Sequence, residues 1–387
     1  MLLTERLKRY RQRHWYRTRY VIAHRQGTMV EREEHRYVSF SSNDYLGLAE
    51  HPEVVRALQQ GAERYGVGSS ASAMISGYTR AHEILERAFA TFFERERALL
   101  FSSGYLANLG VLSVLADRQD TIFMDRLAHA SLIDAAQLSR AKWYRYAHLN
   151  YADLSAQMCK HAKNHSVIVS DGVFSMDGDW ADVRMLATLA RQYQATLIID
   201  DAHGVGVLGK TGRGVVEHFA LQQKDVPILI VPLGKALGGM GAIVAGSTDL
   251  IEGVEQLART YRYDTALSPA IANALLVSLQ VMQQEDWRRE KLNALISVFQ
   301  QKVKERELPF LFSSTPIQIL VVGDEQKTLM IHDFLLTKGC FVSAIRPPTV
   351  PLGSSRLRIT LHCEHTEQQI DYLLNHVAEF FYASHIH

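Results

Sequence analysis

The chain has 387 residues, 47% of them hydrophobic and 21% charged, with a formal net charge of +1. That length exceeds what one hydrophobic core usually organises, so a large domain and a smaller one are expected, and the composition excludes a disordered or fibrous protein. The small net charge gives no global field for nucleic acid or membrane, and no apolar run reaches the about 18 residues needed to span a bilayer.

Positive charge is nevertheless concentrated at the start: between Met1 and Arg25 eight Lys or Arg residues face one acid, Glu5. A nucleic-acid arm or a targeting segment would carry such charge. Trp15, Tyr16 and Tyr20, however, interleave with the arginines as on an ordered, partly buried helix, so the stretch reads as a docking segment. The expected organisation is this segment over 1–45, a large domain over 46–275 and a small one over 276–387. Next in the chain, Ser42-Asn43-Asp44-Tyr45-Leu46 has Asx-turn chemistry.

Short apolar runs then end abruptly in polar or glycine residues: Ala98–Phe101, Val167–Val169, Leu197–Ile199 and Ile228–Val231. They predict buried parallel strands. Between them, Ala181–Tyr193 places Val183, Leu186, Leu189 and Ala190 at helical spacing, and the alternation implies a doubly wound α/β sheet. Ligands of such sheets bind beyond the carboxyl ends of the strands, so the residues just past each run carry the chemistry. They are Ser102–Tyr105, Ser170–Ser175, Asp200–His203 and Pro232–Lys235.

Each has a bland reading and a chemical one. Ser102-Ser103-Gly104-Tyr105 opens an apolar helix, where backbone N–H groups can cradle a phosphate. His129 is either a structural histidine or a ring that stacks on a planar cofactor. Asp200 ends a buried strand, where an ionised carboxylate needs a partner. A protonated pyridine nitrogen would serve, and keeping that ring cationic makes it an electron sink. The helix-capping reading suits neighbouring Asp201 better. Lys235, between Gly234 and Gly238-Gly239-Met240-Gly241, would alone be a solvated loop lysine.

After about Leu275 a long helix including Trp287–Gln301 precedes strand-like Ile317–Val322 and Leu357–Thr360, the small carboxyl-terminal domain. Arg346-Pro347-Pro348-Thr349-Val350-Pro351 must be a rigid loop. In Arg356-Leu357-Arg358 alternate strand positions put two guanidiniums on one face, either an exposed face or a carboxylate clamp. Cys159, Cys340 and Cys363 form neither a disulfide framework nor a metal-ligand pattern, which fits a reduced cytoplasm and no bound metal.

Together and in this order, these features resemble the α-oxoamine synthases from about Arg17 to Leu374, most specifically Ser41–Leu48, Gly172–Asp179 and Asp200–Gly204. The resemblance implies an aspartate aminotransferase-like, fold-type I enzyme dependent on pyridoxal 5'-phosphate (PLP), with a mostly parallel seven-stranded sheet and a smaller α/β domain. Lys235 would bind the cofactor covalently and, neutral, remove the substrate's α-proton. Asp200 would pair with the pyridine nitrogen, His203 and Ser175 would contact the ring hydroxyl region, and His129 would stack on the ring. Gly104 and Tyr105 would offer backbone amides to the cofactor. Arg358, helped by Asn43, would grip the amino-acid carboxylate, while Arg17 and Thr349 would meet the acyl substrate. Homodimers with the site at the interface are implied, with Thr265 reaching the phosphate held by the other subunit.

The implied reaction is decarboxylative condensation of an amino acid with an acyl thioester. The loop Ala344–Pro351 resembles that of the members joining L-alanine to a pimeloyl thioester, carried by CoA or acyl carrier protein. Sister members use glycine or serine: 2-amino-3-ketobutyrate ligase, 5-aminolevulinate synthase and serine palmitoyltransferase. Non-catalytic partner subunits of the family lack the lysine present here. Three segments depart from the family. Pro232 replaces a Thr or Ser phosphate ligand, Gly68–Ala73 has alanine where glycine is usual, and Asp264–Pro269 lacks the usual Ser-Thr-Ser and double proline.

Overall fold

The computed structural model describes residues 2–162 and 165–383. The chain forms two compact units. The larger comprises Leu48–Ser175 and Trp180–Asp286; the smaller comprises the residues up to Gly47, Met176–Asp179, and Trp287 onward.

The larger unit is built on seven strands: β1 Arg97–Phe101, β2 Thr121–Asp125, β3 Lys142–Tyr146, β4 Ser166–Asp171, β5 Thr196–Asp200, β6 Ile228–Pro232 and β7 Ala242–Gly246. Their spatial order is β1-β7-β6-β5-β4-β2-β3. β7 is antiparallel to both neighbours, and the remaining pairings are parallel. The four apolar runs read from the sequence are β1, β4, β5 and β6. Every residue of β2 and β4 is buried, as expected of strands covered on both faces. The edge strand β3 buries only Tyr146, so it shows no continuous apolar run.

The helix expected within Ala181–Tyr193 is Val183–Gln192, started by Asp182, whose carboxylate accepts from the N–H groups of Arg184 and Met185 at 3.1 and 3.2 Å. Its buried residues, Val183, Leu186, Ala187, Leu189 and Ala190, are those the helical period assigns to one face. On the same sheet, helices Gly104–Leu115 and Ala130–Ser139 contribute Val111, Leu112 and Leu132 to a core shared with Phe101, Met124, Val169, Ile198 and Ile230. Truncating Ile198 to alanine in so closed a core costs about 2–5 kcal/mol. Such packing fixes the strand ends, and with them the loops that carry the polar residues.

The smaller unit has two four-stranded sheets. One joins His24–Gln26, Met29–Arg32 and His35–Ser39 to Cys340–Phe341; the other contains Phe310–Leu311, Ile317–Gly323, Ser355–Thr360 and Ser343–Ile345. Helices Glu325–Thr337 and Glu367–Ala383 belong to the same unit.

The amino-terminal expectation is corrected. The helix is Leu3–Gln12, none of its residues is buried, and it stops before Trp15. His14 takes a left-handed φ of 55°, and the N–H groups of Trp15 and Tyr16 both return to the Tyr10 carbonyl at 2.9 and 3.2 Å, which closes the last turn. Tyr20 is what docks here. Its ring stacks on His332 at 6.2 Å, meets Phe341 edge-on at 5.8 Å and lies under the Arg32 guanidinium at 4.1 Å. Among the described residues no helix is long and apolar enough to cross a membrane.

Candidate active site

The carboxyl ends of the parallel strands gather the expected residues of the larger unit. Lys235 follows β6 in a loop closed by backbone bonds from Gly238 N to the Lys235 carbonyl (2.8 Å) and from Gly239 N to the Leu233 carbonyl (3.0 Å). Gly238 has a φ of +63°, and a Cβ there would fall 2.2 Å from the Ala49 nitrogen, so only glycine permits this turn. The Ser278 hydroxyl donates to the Leu237 carbonyl at 2.6 Å and fixes the loop from below. Lys235 is half-buried.

Asp200 ends β5 and is only 3% exposed. Its Oδ2 accepts from Asn108 Nδ2 at 2.7 Å and its Oδ1 from the Ala202 N–H at 3.2 Å. Neutral donors alone leave its charge uncancelled, and each carboxylate oxygen can accept a further bond. Asn108 also donates to Ser131 Oγ at 2.8 Å, and that hydroxyl lies 2.7 Å from His129 Nδ1. The His129 backbone N–H donates to Asp171 Oδ2 at 2.9 Å. His129 as a residue is exposed. The protein packed around the ring lowers its pKa; the Asp200 charge opposes this, and the Lys235 charge adds to it. Burial, reinforced by Asp200, pushes the Asp171 carboxyl well above its ordinary value.

Reading the sequence missed Asn108 and, although Asp171 lay within Ser170–Ser175, gave it no role of its own. Asn108 sits one helical turn below Gly104, and a lone amide in the apolar stretch Gly104–Leu115 was the available signal. Asp171 ends β4 as Asp200 ends β5, and the two pair in register. Gly214, not Asp201, occupies the cap position of helix Val215–His218, but the Asp201 carboxylate accepts from Val215 N at 2.7 Å from 14 positions away, and burial raises its pKa to about 7. His203 is buried and Ser175 half-buried, each on one of the loops named from the sequence.

At the start of helix Gly104–Leu115, Ser103 caps Leu106 N at 3.3 Å. Gly104 lies against Pro232, since a Cβ on it would fall 2.6 Å from the proline Cγ. The Ser102 hydroxyl donates to the Asp264 carboxylate, so two segments that depart from the family meet the same helix start. Tyr105 and Thr265 are exposed, and the Tyr105 hydroxyl donates to Asp134.

In the smaller unit, strand Ser355–Thr360 is buried throughout, which corrects the exposed-face reading of its two arginines. They differ in partners. Arg356 is engaged by the Asp177 carboxylate and the Met176 carbonyl. Arg358 donates to Asn43 Oδ1 (3.1 Å) and to Thr360 Oγ1 (3.2 Å). The expected Asx turn is a serine turn instead. Ser42 Oγ takes the Asp44 N–H at 3.1 Å, which leaves Asn43 Oδ1 to Arg358. Burial pushes the Tyr45 hydroxyl up to about 12, against the lowering effect of Arg358. Arg17 and Thr349, 332 positions apart, are in direct contact: Arg17 Nη2 donates to Thr349 Oγ1 at 2.7 Å and to the Arg346 carbonyl at 2.9 Å.

A seven-stranded sheet with one reversed strand, a lysine past β6 and an acid ending β5 define a class, and comparison with known proteins agrees. The chain matches the aminotransferase class I and II family over residues 35–377 and belongs to it. Within that class, the 8-amino-7-oxononanoate synthase of Pseudomonas putida (strain GB-1) is 49% identical, over 98% of this chain and 97% of its own. The solved 8-amino-7-oxononanoate synthase of Francisella tularensis has 33% identity and a TM-score of 0.80, over 90% of this chain and 99% of that one. A serine palmitoyltransferase from S. paucimobilis, solved with bound PLP and myriocin, has 26% identity and a TM-score of 0.92, over 95% and 94%. The α-oxoamine synthase resemblance and the fold-type I architecture are borne out.

Proposed function

We propose that this chain condenses L-alanine with a pimeloyl thioester, giving 8-amino-7-oxononanoate, carbon dioxide and the free carrier thiol, as a step of biotin biosynthesis. Support comes from near-full-length similarity to synthases of that name. The observation that carries the chemistry is that Asp200 ends β5 and Lys235 follows the adjacent parallel strand β6, while the His129 N–H is tied to Asp171 at the end of neighbouring β4. An amine, an acid and a flat ring along one edge of a sheet are what a pyridoxal needs. The buried Asp200, which accepts from Asn108 Nδ2 and the Ala202 N–H, fits a pyridinium partner.

Bound PLP supplies an electron sink for charge developing at the amino acid's α-carbon. Asp200, oriented by Asn108, would hold the proton on the pyridine nitrogen. Lys235 Nζ would anchor the cofactor and serve as the base for the α-proton. His129 would stack on the ring, while Ser175 and His203 would address its hydroxyl side. The amides of Gly104 and Tyr105 would bind the cofactor. Arg358, aligned by Asn43, receives the carboxylate of alanine, and Arg17 with Thr349 receives the acyl substrate. The working form is a cytoplasmic homodimer in which Thr265 serves the other subunit's phosphate.

The test is turnover by the purified protein loaded with PLP. L-alanine and a pimeloyl thioester should yield 8-amino-7-oxononanoate by mass spectrometry. The visible band of bound PLP should respond to L-alanine and be lost from Lys235→Ala after dialysis. A response to glycine or serine with none to alanine would replace this reading with a sister activity.

A further inference from the structure

Helix Leu3–Gln12 carries Arg6, Lys8, Arg9 and Arg11 against the single acid Glu5, and buries none of its residues. Leu3, Leu7 and Tyr10 recur at i, i+4 and i+7 and form one stripe, with Leu3 71% and Leu7 38% exposed. A helix this short is marginal by itself, so an ordered one with an open apolar stripe and a dense positive charge is suited to being covered by something acidic. Its location narrows what that is. The Arg346 guanidinium donates to the His14 and Tyr16 carbonyls just past the helix, and the next arginine, Arg17, binds the Arg346 carbonyl and Thr349 Oγ1. The basic helix therefore stands beside the pair assigned to the acyl substrate.

We propose that helix Leu3–Gln12 is the docking surface for an acidic acyl carrier protein that delivers the thioester. This rests on the condensation reading above. Ten helical residues extend for about 15 Å, which matches the face of a protein helix better than a single nucleotide. An anionic lipid surface, the other occupant such a stripe could take, is separated from a carrier protein by the vesicle arm of the test.

The test compares the wild-type holoenzyme with the triple variant Arg6→Gln, Lys8→Gln, Arg9→Gln, using pimeloyl-carrier protein and pimeloyl-CoA. The variant's KM for the carrier-borne substrate should rise about tenfold or more, with kcat and the CoA kinetics unchanged. Added salt should raise the wild-type carrier KM towards that of the variant. Unchanged carrier kinetics, or an equal loss with both thioesters, would overturn the docking surface. So would loss of binding to duplex DNA or anionic phospholipid vesicles with carrier kinetics intact. Absence of product from either thioester in the wild type would instead overturn the reaction itself.

Discussion

Replacing Pro232 with threonine should tighten PLP binding. Pro232 ends β6 and touches Gly104, the first residue of the helix whose opening amides are assigned to the cofactor. A threonine side chain would occupy the volume of the proline Cγ and place one hydroxyl donor at that helix start. A hydrogen bond to a charged group contributes about 1.5–3 kcal/mol, so the gain is about one to two orders of magnitude in Kd. Releasing the proline ring frees the unfolded chain, which costs the fold about 0.4–1 kcal/mol and is read separately as a slightly lower Tm. Titrating apoenzyme with PLP, followed by absorbance, gives the affinity. Pro232→Val, with threonine's shape and no hydroxyl, should show no gain. Unchanged or weaker binding in Pro232→Thr, or an equal gain in Pro232→Val, would refute the reasoning.

Three other outcomes follow from the same contacts. Because the Asp264 carboxylate meets Ser102 at that helix start, Asp264→Ser should tighten PLP roughly fivefold by removing about 1 kcal/mol of like-charge repulsion; an unchanged titration would remove Asp264 from the phosphate's surroundings. Arg358→Lys should raise the KM for L-alanine about tenfold, because an ammonium cannot reproduce the two-pronged grip on a carboxylate; an unaltered KM would dismiss Arg358 as the clamp. Burial raises the Glu86 carboxyl from 4.5 to about 7, while the Tyr78 hydroxyl (2.7 Å) and Leu100 N–H (2.8 Å) bonds pull the other way. A folded-state acid with a raised pKa stabilises fully below its unfolded value and loses that contribution as pH climbs through about 7, worth on the order of 3 kcal/mol. The apoenzyme Tm should therefore fall between about pH 4.5 and 7 by more in the wild type than in Glu86→Gln, and identical slopes would contradict the assignment.

Reading the chain was enough to place Asp200 at the end of β5 and Lys235 just past β6, because parallel strands buried on both faces appear as apolar runs with abrupt ends. The glycines around Lys235 were legible for a similar local reason: a left-handed φ at Gly238 excludes side chains. Tertiary structure alone decided the partners. Asn108 reaches Asp200 across 92 positions and Ser102 reaches Asp264 across 162, distances over which no periodicity carries information. The separation of Arg356 from Arg358 was equally hidden. They share a strand face and a residue type, and only the fold decides that Asp177 engages Arg356 while Asn43 and Thr360 engage Arg358. The end of the first helix at Gln12 was set by a left-handed turn at His14, a conformation uncommon for any residue but glycine even though histidine is enriched in it. Local sequence sets backbone conformation and burial pattern, whereas the pairing of polar side chains is settled by which chain segments the packed core brings together.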